Sequence, residues 1–401
     1  MNATGSVLAV NGGSSSVRFA VFAQDEPLRR LCGGNLDRIG SIGTNLTFKH
    51  STGKPDQDRP VDAVDRGSAV AFLLDWLETQ GVFASVDAVG HRVVHGMTRV
   101  QPERVTPQLL EQLRELTPYA PHHLPLEVEL MEALGERHPP LPQVACFDTA
   151  FHASMPHVAR QFPIPRRYEA KGVRRYGFHG LSYAYLMEEL ARLGDPAAAA
   201  GRVILAHLGN GASLAAVRDG KSVDTSMGFT PAAGVPMSTR SGDLDPGLGW
   251  YLAQTERMTA QQFHWMINRE SGLLGVSETS SDLRDLLARE ASDVRAAEAV
   301  ALFCYLIKKW IGAFAAALGG LDTLVFSGGI GENAPAIRAR ICEVLRFLGV
   351  QFDETRNAAG DPVISAGKSH VEVRVIRTDE EVVIAKAVFR VLADTPASPR
   401  A

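Results

Sequence analysis

Two stretches about half a chain apart decide the fold: Val7-Leu-Ala-Val-Asn11-Gly-Gly-Ser-Ser-Ser16-Val-Arg-Phe-Ala-Val-Phe22 and Val203-Ile-Leu-Ala-His207-Leu-Gly-Asn210-Gly-Ala-Ser213-Leu-Ala-Ala-Val217. Each reads as an apolar strand, a turn of Gly, Asn and Ser, and a second apolar run, the pattern of a β-hairpin. One Asn-Gly turn marks any hairpin. Here the two Asn residues stand 210 − 11 = 199 positions apart in 401 residues, which indicates a duplicated domain rather than a solenoid. Both turns are rich in backbone and hydroxyl donors.

The length, about 2.7 times a 150-residue domain, agrees with two domains. With 41 Lys and Arg against 45 Asp and Glu, the net charge is −4. That excludes a nucleic-acid binder driven by phosphate neutralisation, and 45% hydrophobic content excludes a disordered polyanion. The longest nearly uninterrupted apolar stretch, Trp310 to Leu321, has 12 residues, too few to span a bilayer. No secretory leader is legible before Asn11. Cys32, Cys146, Cys304 and Cys342 lie far apart with no C-x-x-C pair, so they read as reduced, mostly buried thiols of a cytoplasmic protein.

Helices alternate with the strands. Thr106 caps a helix with Pro107 at its first position and Leu109, Leu110, Leu113 and Leu116 on one face. Another is predicted from about Ala334 to Leu348, and a last one from Thr378-Asp-Glu380-Glu381, which has the form of a capping box. Strands are predicted at Val86–Val89, Val203–Ala206, Thr323–Phe326 and Val371–Ile376, and a polar loop at Asp56 to Arg66. The alternation defines an α/β protein. Symmetry and a Pro-rich stretch put the domain boundary near Asp148–Arg160.

The nucleotide signatures are mostly negative. Gly220-Lys221-Ser222 lacks the leading Gly of a P-loop, since Ala215 stands there. Gly329-Ile-Gly331-Glu-Asn-Ala334 matches G-x-G-x-x-A, but only about 70 residues come after it, too few for a dinucleotide fold. The surviving feature is a Gly-rich loop feeding a helix capped by Asn333, whose backbone N–H groups suit an anion or nucleotide. His91, His95, His122, His123, His152, His179 and His207 show no zinc spacing and read as structural or anion-binding. Arg92 and Arg240 offer planar forks for carboxylate or phosphate. Asp148 lies after an apolar strand, and Glu380 sits in a first helical turn, where dipole compensation is its simplest role.

Taken together these motifs resemble the acetate kinase family, in the superfamily of acetate and sugar kinases, actin and heat-shock ATPases. The resemblance covers nearly the whole chain and rests on Asn11-x-Gly-Ser-Ser-Ser16, Gly90-His-Arg-Val-Val-His-Gly96, Phe147-Asp-Thr-Ala-Phe-His152, Arg175-Tyr-Gly-Phe-His-Gly180, His207-Leu-Gly-Asn-Gly211, Asp224-Thr-Ser-Met-Gly-Phe-Thr-Pro231, Thr239-Arg-Ser-Gly-Asp243 and Gly328-Gly-Ile-Gly-Glu-Asn333. It implies two duplicated ribonuclease H-like (actin-like ATPase) domains with the nucleotide cleft between them. Residues 1–150, with the returning helix 380–393, would be the acyl-kinase domain and residues 151–379 the nucleotide-binding domain, ending in a frayed tail, 394–401.

By the same resemblance, Asn11 and Glu380 bind Mg2+ (with Mn2+ as an alternative) and Arg92 holds the carboxylate substrate. Asp148, His179 and Arg240 are the catalytic set. Val94, Phe178 and Pro231 form the apolar pocket for the methyl group. Arg18, His207, Leu208, Gly209, Asn210 and Gly211 meet the nucleotide; Asp282, Leu283 and Arg284 line the nucleoside; and Gly329, Ile330, Gly331, Glu332 and Asn333 complete its site. The implied reaction is reversible phosphoryl transfer from ATP to acetate, with ADP as product, in a cytoplasmic homodimer that binds neither nucleic acid nor membrane. Propionate kinase is the alternative activity, and a non-catalytic nucleotide-binding relative is the alternative class. The joint presence of Arg92, Asp148, His179 and Arg240 favours a kinase, because binding alone needs no charge-stabilising set.

Four departures from the family pattern stand out. Arg18 replaces a Lys, and His122 and Leu124 replace an apolar residue and an Asn on either side of His123. Leu181 and Tyr183 replace Thr and His, and Met97 replaces a Gly.

Overall fold

The computed structural model describes residues 5–13, 16–39, 43–51, 57–63, 65–193 and 199–394. Ser14 and Ser15 of the first turn, Asp56 of the expected polar loop and the tail from 395 onward lie outside them. The chain divides into two compact units, Met1–Ala150 with Asp379–Ala401, and Phe151–Thr378.

The first unit holds an eight-stranded sheet: β1 (Ser6–Gly12), β2 (Ser16–Ala23), β3 (Arg29–Asp37), β4 (Asn45–His50), β5 (Gln57–Pro60), β6 (Ala88–Val93), β7 (Glu103–Arg104) and β8 (Gln143–Phe147), in the order β5-β4-β3-β2-β1-β6-β8-β7. The second holds β9 (Arg202–Leu208), β10 (Ala212–Arg218), β11 (Lys221–Thr225), β12 (Thr323–Ser327) and β13 (Glu372–Val375), in the order β11-β10-β9-β12-β13. The order β3-β2-β1-β6-β8 in one unit matches β11-β10-β9-β12-β13 in the other. In both, the first three strands pair antiparallel and the last three parallel. The duplication read from two hairpins is thus a duplication of a whole five-strand pattern. Both hairpins form as expected, with Asn11 opposite Arg18 and Leu208 opposite Ala212.

The central strands are buried along their length, as Val7–Val10 and Val203–Ala206 show. Continuous apolar runs of this kind belong to strands covered on both faces. In the first unit the helices Arg66–Thr79 and Leu124–Arg137 pack against each other, and the helix Glu380–Ala393 lies on β1, β2, β6 and β8. Gly90 makes that last contact feasible. A Cβ there would stand 2.4 Å from Ile384 Cγ2 and 2.5 Å from Val388 Cγ2, well inside van der Waals distance.

Several local expectations change. The strand predicted at Val86–Val89 runs Ala88–Val93, because pairing with β8 continues to Val93 opposite Phe147, so Arg92 lies inside it. Gln57–Pro60, expected as loop, is an edge strand with its proline at the end, where no ladder hydrogen bond is lost. The predicted Ala334–Leu348 helix is split into Pro335–Cys342 and a 3-10 turn at Leu345–Leu348, closed by Gly349 at φ +95°. Gly328–Asn333 is itself a short helix, and Asn333 Nδ2 donates to the Gly329 carbonyl at 2.9 Å instead of capping the helix Pro335–Cys342. The last helix is capped by Asp379, whose side chain accepts from Val382 N at 3.2 Å, while the Thr378 hydroxyl meets Ser182 Oγ at 2.8 Å. Trp310 to Leu318 is the end of a 25-residue helix, Val294–Leu318, long and apolar enough to cross a membrane. It lies across β9 and β10 with Phe303, Ile307, Ile311 and Phe314 fully buried, as a core helix does.

Candidate active site

In the first unit, β6 and β8 run side by side and end together, placing Arg92 next to Cys146 and Asp148 just past the end of β8. The carboxyl ends of parallel strands are the usual ligand side of such sheets. Arg92, Asp148 and Glu127 are buried there as a triad. Arg92 Nε and Nη2 donate to Asp148 Oδ2 at 3.0 and 2.6 Å, and Nη1 donates to the Gly12 carbonyl at 2.7 Å and to Glu127 Oε1 at 3.2 Å. A guanidinium carries five N–H donors. Four are committed among the described residues, which leaves one Nη2–H for a ligand.

Burial opposes the Arg92 charge, but the carboxylates of Asp148, Glu127 and Glu380 outweigh it and raise its pKa. Burial pushes the Glu127 carboxyl up to about 8, against the pull of Arg92 and of the Val94 N–H that donates to its Oε2 at 2.9 Å. Asn11 Nδ2 donates to Glu380 Oε2 at 2.8 Å and to Glu381 Oε1 at 3.0 Å, and Arg30 grips both Asp379 oxygens at 2.7 Å. Glu380 and Glu381 are both raised by burial and then by neighbouring carboxylates, with Arg18 pulling the other way. Glu380 therefore faces Asn11 and the Arg92–Asp148 pair, beyond any helix-dipole role.

In the second unit, His179 precedes the helix Gly180–Arg192 in a left-handed conformation (φ +59°). Its Nδ1 lies 2.8 Å from Ser213 Oγ, and its ring stacks on His207 at 4.3 Å. His207 Nδ1 is held by Ser182 Oγ at 2.8 Å. Arg240 Nη1 donates to the Pro231 carbonyl at 2.7 Å. Arg240 and His179 converge on Gly211, where an added Cβ would meet Arg240 Nη2 at 3.1 Å and His179 Nε2 at 3.2 Å. His207, Arg240, His179 and Pro231 are thus brought together around one glycine.

The Gly-rich loops meet nearby. Gly209 N–H donates to the Gly211 carbonyl at 3.0 Å, closing the β9–β10 turn around Asn210. Gly328, at φ +75°, passes so close to the Leu208 carbonyl that a Cβ would stand 2.6 Å from it. Glu332 Oε1 accepts from Gly328 N at 2.9 Å and Thr378 N at 3.2 Å, pinning the start of Gly328–Asn333 and with it Gly329, Ile330 and Gly331. Asp282, Leu283 and Arg284 do not share this network. Asp282 caps the helix Leu283–Arg289, the Arg284 guanidinium folds back onto Asp282, and the helix packs on Val294–Leu318. Of the expected apolar pocket, Val94 lies in the first unit, and Phe178 and Pro231 in the second.

His91 and His152 are held in structural hydrogen bonds. Burial depresses His91 to about 4, and it pairs with Gln143 at 2.7 Å. His152 bridges Ser222 Oγ and the Phe178 carbonyl at 2.9 and 3.1 Å. Among the described residues no three or more His, Cys, Asp or Glu side chains form a metal-holding group. All four cysteines are buried free thiols.

Glu127, Ser182, Ser213 and Glu381 escape the sequence reading. Glu127 does leave one signal: it interrupts an otherwise apolar stripe, Leu124, Glu127, Met131 and Leu134, at helical spacing. The serines leave none, since a lone Ser in an apolar helix or strand is ordinary.

The doubled five-strand pattern, with glycine turns and anion-directed Arg and His side chains at the strand ends, is the ribonuclease H-like fold of the actin-like ATPases. Residues 6–386 match the sequence pattern of the acetokinase family, and the chain belongs to that family. It is 47% identical over 397 residues to an acetate kinase of Rhodopseudomonas palustris, covering 97% of this chain and 98% of the relative. It is 45% identical over 403 residues to a propionate kinase of Citrobacter rodentium, covering 98% and 99%. The crystal structure of Porphyromonas gingivalis acetate kinase superposes with a TM-score of 0.85 at 38% identity, covering 97% of this chain and 100% of that one. The protein is a carboxylate kinase with ATP and ADP as its nucleotide substrates.

Proposed function

We propose that the protein is a Mg2+-dependent acetate kinase that transfers the γ-phosphoryl group of ATP reversibly to acetate. The observation that carries this reading is the convergence of Arg240 and His179 on Gly211, beside the glycine turns that end β9 and β12. Phosphoryl transfer to a carboxylate brings two anions together, so its catalysis is positioning and charge neutralisation. A carboxylate oxygen bonds to the γ-phosphorus, the bond from that phosphorus to the β-phosphate bridging oxygen breaks, and ADP keeps the electron pair. Acetate, with a pKa in the usual carboxylate range, is already ionised near neutral pH. No general base is needed. Asp148, whose Oδ2 is engaged by Arg92, orients that arginine toward the acid. His179 and Arg240 neutralise charge on the transferring group.

The residues present fit a magnesium ion. Asn11 and Glu380 stand side by side, with the carboxyl groups of Asp148 and Glu381 as neighbours. Two oxygen-bearing side chains leave the rest of an octahedral shell to water and phosphate, the common arrangement for Mg2+. When bound, the ion screens the phosphate oxygens against the incoming carboxylate.

Acetate is the favoured acid on the family resemblance, in which Val94, Phe178 and Pro231 are the apolar residues expected to meet the methyl group, and a further methylene changes selectivity only modestly. Such a group is worth about 1–3 kcal/mol in an apolar pocket. A homodimer is part of the reading: the helices Leu248–Thr255 and Ala260–Trp265 bury none of their residues, and Trp250, Tyr251 and Trp265 are exposed on them. Buried free thiols suit a reducing cytoplasm.

A hydroxamate assay of acyl phosphate formation with ATP and C1 to C4 acids tests the function. Acetate is expected to have the highest kcat/KM, with activity lost on EDTA treatment and restored by Mg2+. A propionate value tenfold above acetate overturns the substrate assignment, and no product from any acid overturns the function. Size-exclusion chromatography with light scattering is expected to give twice the chain mass.

A further inference from the structure

We infer that Glu127 is a positioning residue for the carboxylate substrate, acting through Arg92. The inference rests on the carboxylate kinase reading above and concerns the acid's half of the reaction alone.

Asp148 by itself does not fix the guanidinium. Both of its hydrogen bonds from Arg92 end on one oxygen, Oδ2. Two donors on a single acceptor leave the guanidinium free to pivot about it, unlike a two-oxygen fork. The pivot is stopped on the far side, where Nη1 is held between the Gly12 carbonyl and Glu127 Oε1. Of these, Gly12 belongs to β1, while Glu127 reaches in from the helix Leu124–Arg137.

Glu127 is itself immobilised. Its side chain is fully buried, and its second oxygen accepts from Val94 N. One side chain thus ties the guanidinium expected to meet the substrate to the backbone of the residue expected to wall its acyl group. A glutamate buried on an apolar helical stripe costs desolvation that a leucine would avoid. Packing does not account for it, whereas the direction it gives to the one open Nη2–H of Arg92 does.

Three variants test the role with acetate, propionate and ATP kinetics measured side by side. Glu127→Met fills the space but accepts nothing, so KM for both acids should rise tenfold or more while KM for ATP stays within twofold. Glu127→Gln keeps one carbonyl acceptor but turns an NH2 donor toward the other N–H, so it should raise KM for the acids less than the Met variant does, with KM for ATP within twofold of the parent. Glu127→Asp, with its carboxylate drawn back by one methylene, should raise KM for the acids at least threefold, which gives a second reading if the Met variant does not fold. If Met and Asp variants keep the parent's KM for the acids, the role is overturned. It is equally overturned if KM for ATP rises in step with that for the acids, since that pattern marks general loosening. A parent that phosphorylates none of the C1 to C4 acids overturns the function itself, and the role with it.

Discussion

Arg92 grips Asp148 side-on, donating through Nε and Nη2 to the same oxygen at 3.0 and 2.6 Å. Both residues are buried, so the pair is kept by mutual neutralisation. A carboxylate engaged in this way stabilises and orients its arginine. In the proposed reaction it needs to carry no proton, because the acceptor acid is already ionised.

Arg240→Ala should cut kcat about a hundredfold or more, the cost of one preorganised donor worth on the order of 3 kcal/mol, with KM for either substrate changed far less. Arg240 Nη1 donates to the Pro231 carbonyl and Nη2 lies against the Gly211 turn, where the proposed function places the transferring group. Steady-state kinetics decide it: near-normal kcat with a raised KM assigns Arg240 to substrate binding alone.

Arg18 lies opposite Asn11 on the hairpin and pulls down the carboxyls of Glu380 and Glu381. Arg18→Lys should retain full activity, because a compact ammonium supplies the same charge there. Arg18→Ala should raise KM for ATP by roughly two- to fivefold, in keeping with an exposed charge contact of up to about 1 kcal/mol. An unchanged KM in the alanine variant reduces Arg18 to a surface charge.

Gly90→Ala should destabilise the first unit by about 1–3 kcal/mol, the usual penalty for overpacking. The new methyl collides with Ile384 and Val388 and lifts the helix that begins at Glu380. Thermal unfolding should show a lower Tm, and Mg2+ activation should demand more metal because Glu380 moves away from Asn11. A variant with the parent's Tm would show that the helix and sheet tolerate separation.

Glu127 holds its proton to about pH 8 in the folded protein, against 4.5 as its ordinary value. Between those limits the folded state binds more protons than the unfolded one, so this group lowers stability as pH rises through the window. Glutamine cannot titrate and mimics the protonated form. The Tm of Glu127→Gln relative to the parent should therefore move in the variant's favour from pH 5 to pH 8. The opposite trend in calorimetry would show a carboxylate stabilised by Arg92 below its ordinary range.

The two hairpins and the glycine turns were legible in sequence because strands, turns and caps are set by neighbours a few residues apart. Thr106 with Pro107 is one case, and its helix starts where the residues place it, with Thr106 Oγ1 accepting from Leu109 N. The reading failed where distant contacts decide. Thr378 has the right letter for a cap, yet Ser182 takes its hydroxyl and Asp379 caps the helix. Asn333 likewise turns back onto Gly329.

The sequence by itself determined the duplicated α/β architecture and, through motifs that are short and contiguous, the identities of Arg92, Asp148, His179 and Arg240 as candidates. Only the tertiary structure decided how those candidates are held: Glu127 lies 35 positions from Arg92, Ser213 lies 34 from His179, and Glu380 lies 369 from Asn11. Charge pairing and hydrogen bonding act over a few ångströms of space regardless of chain separation, so no local pattern of letters records them.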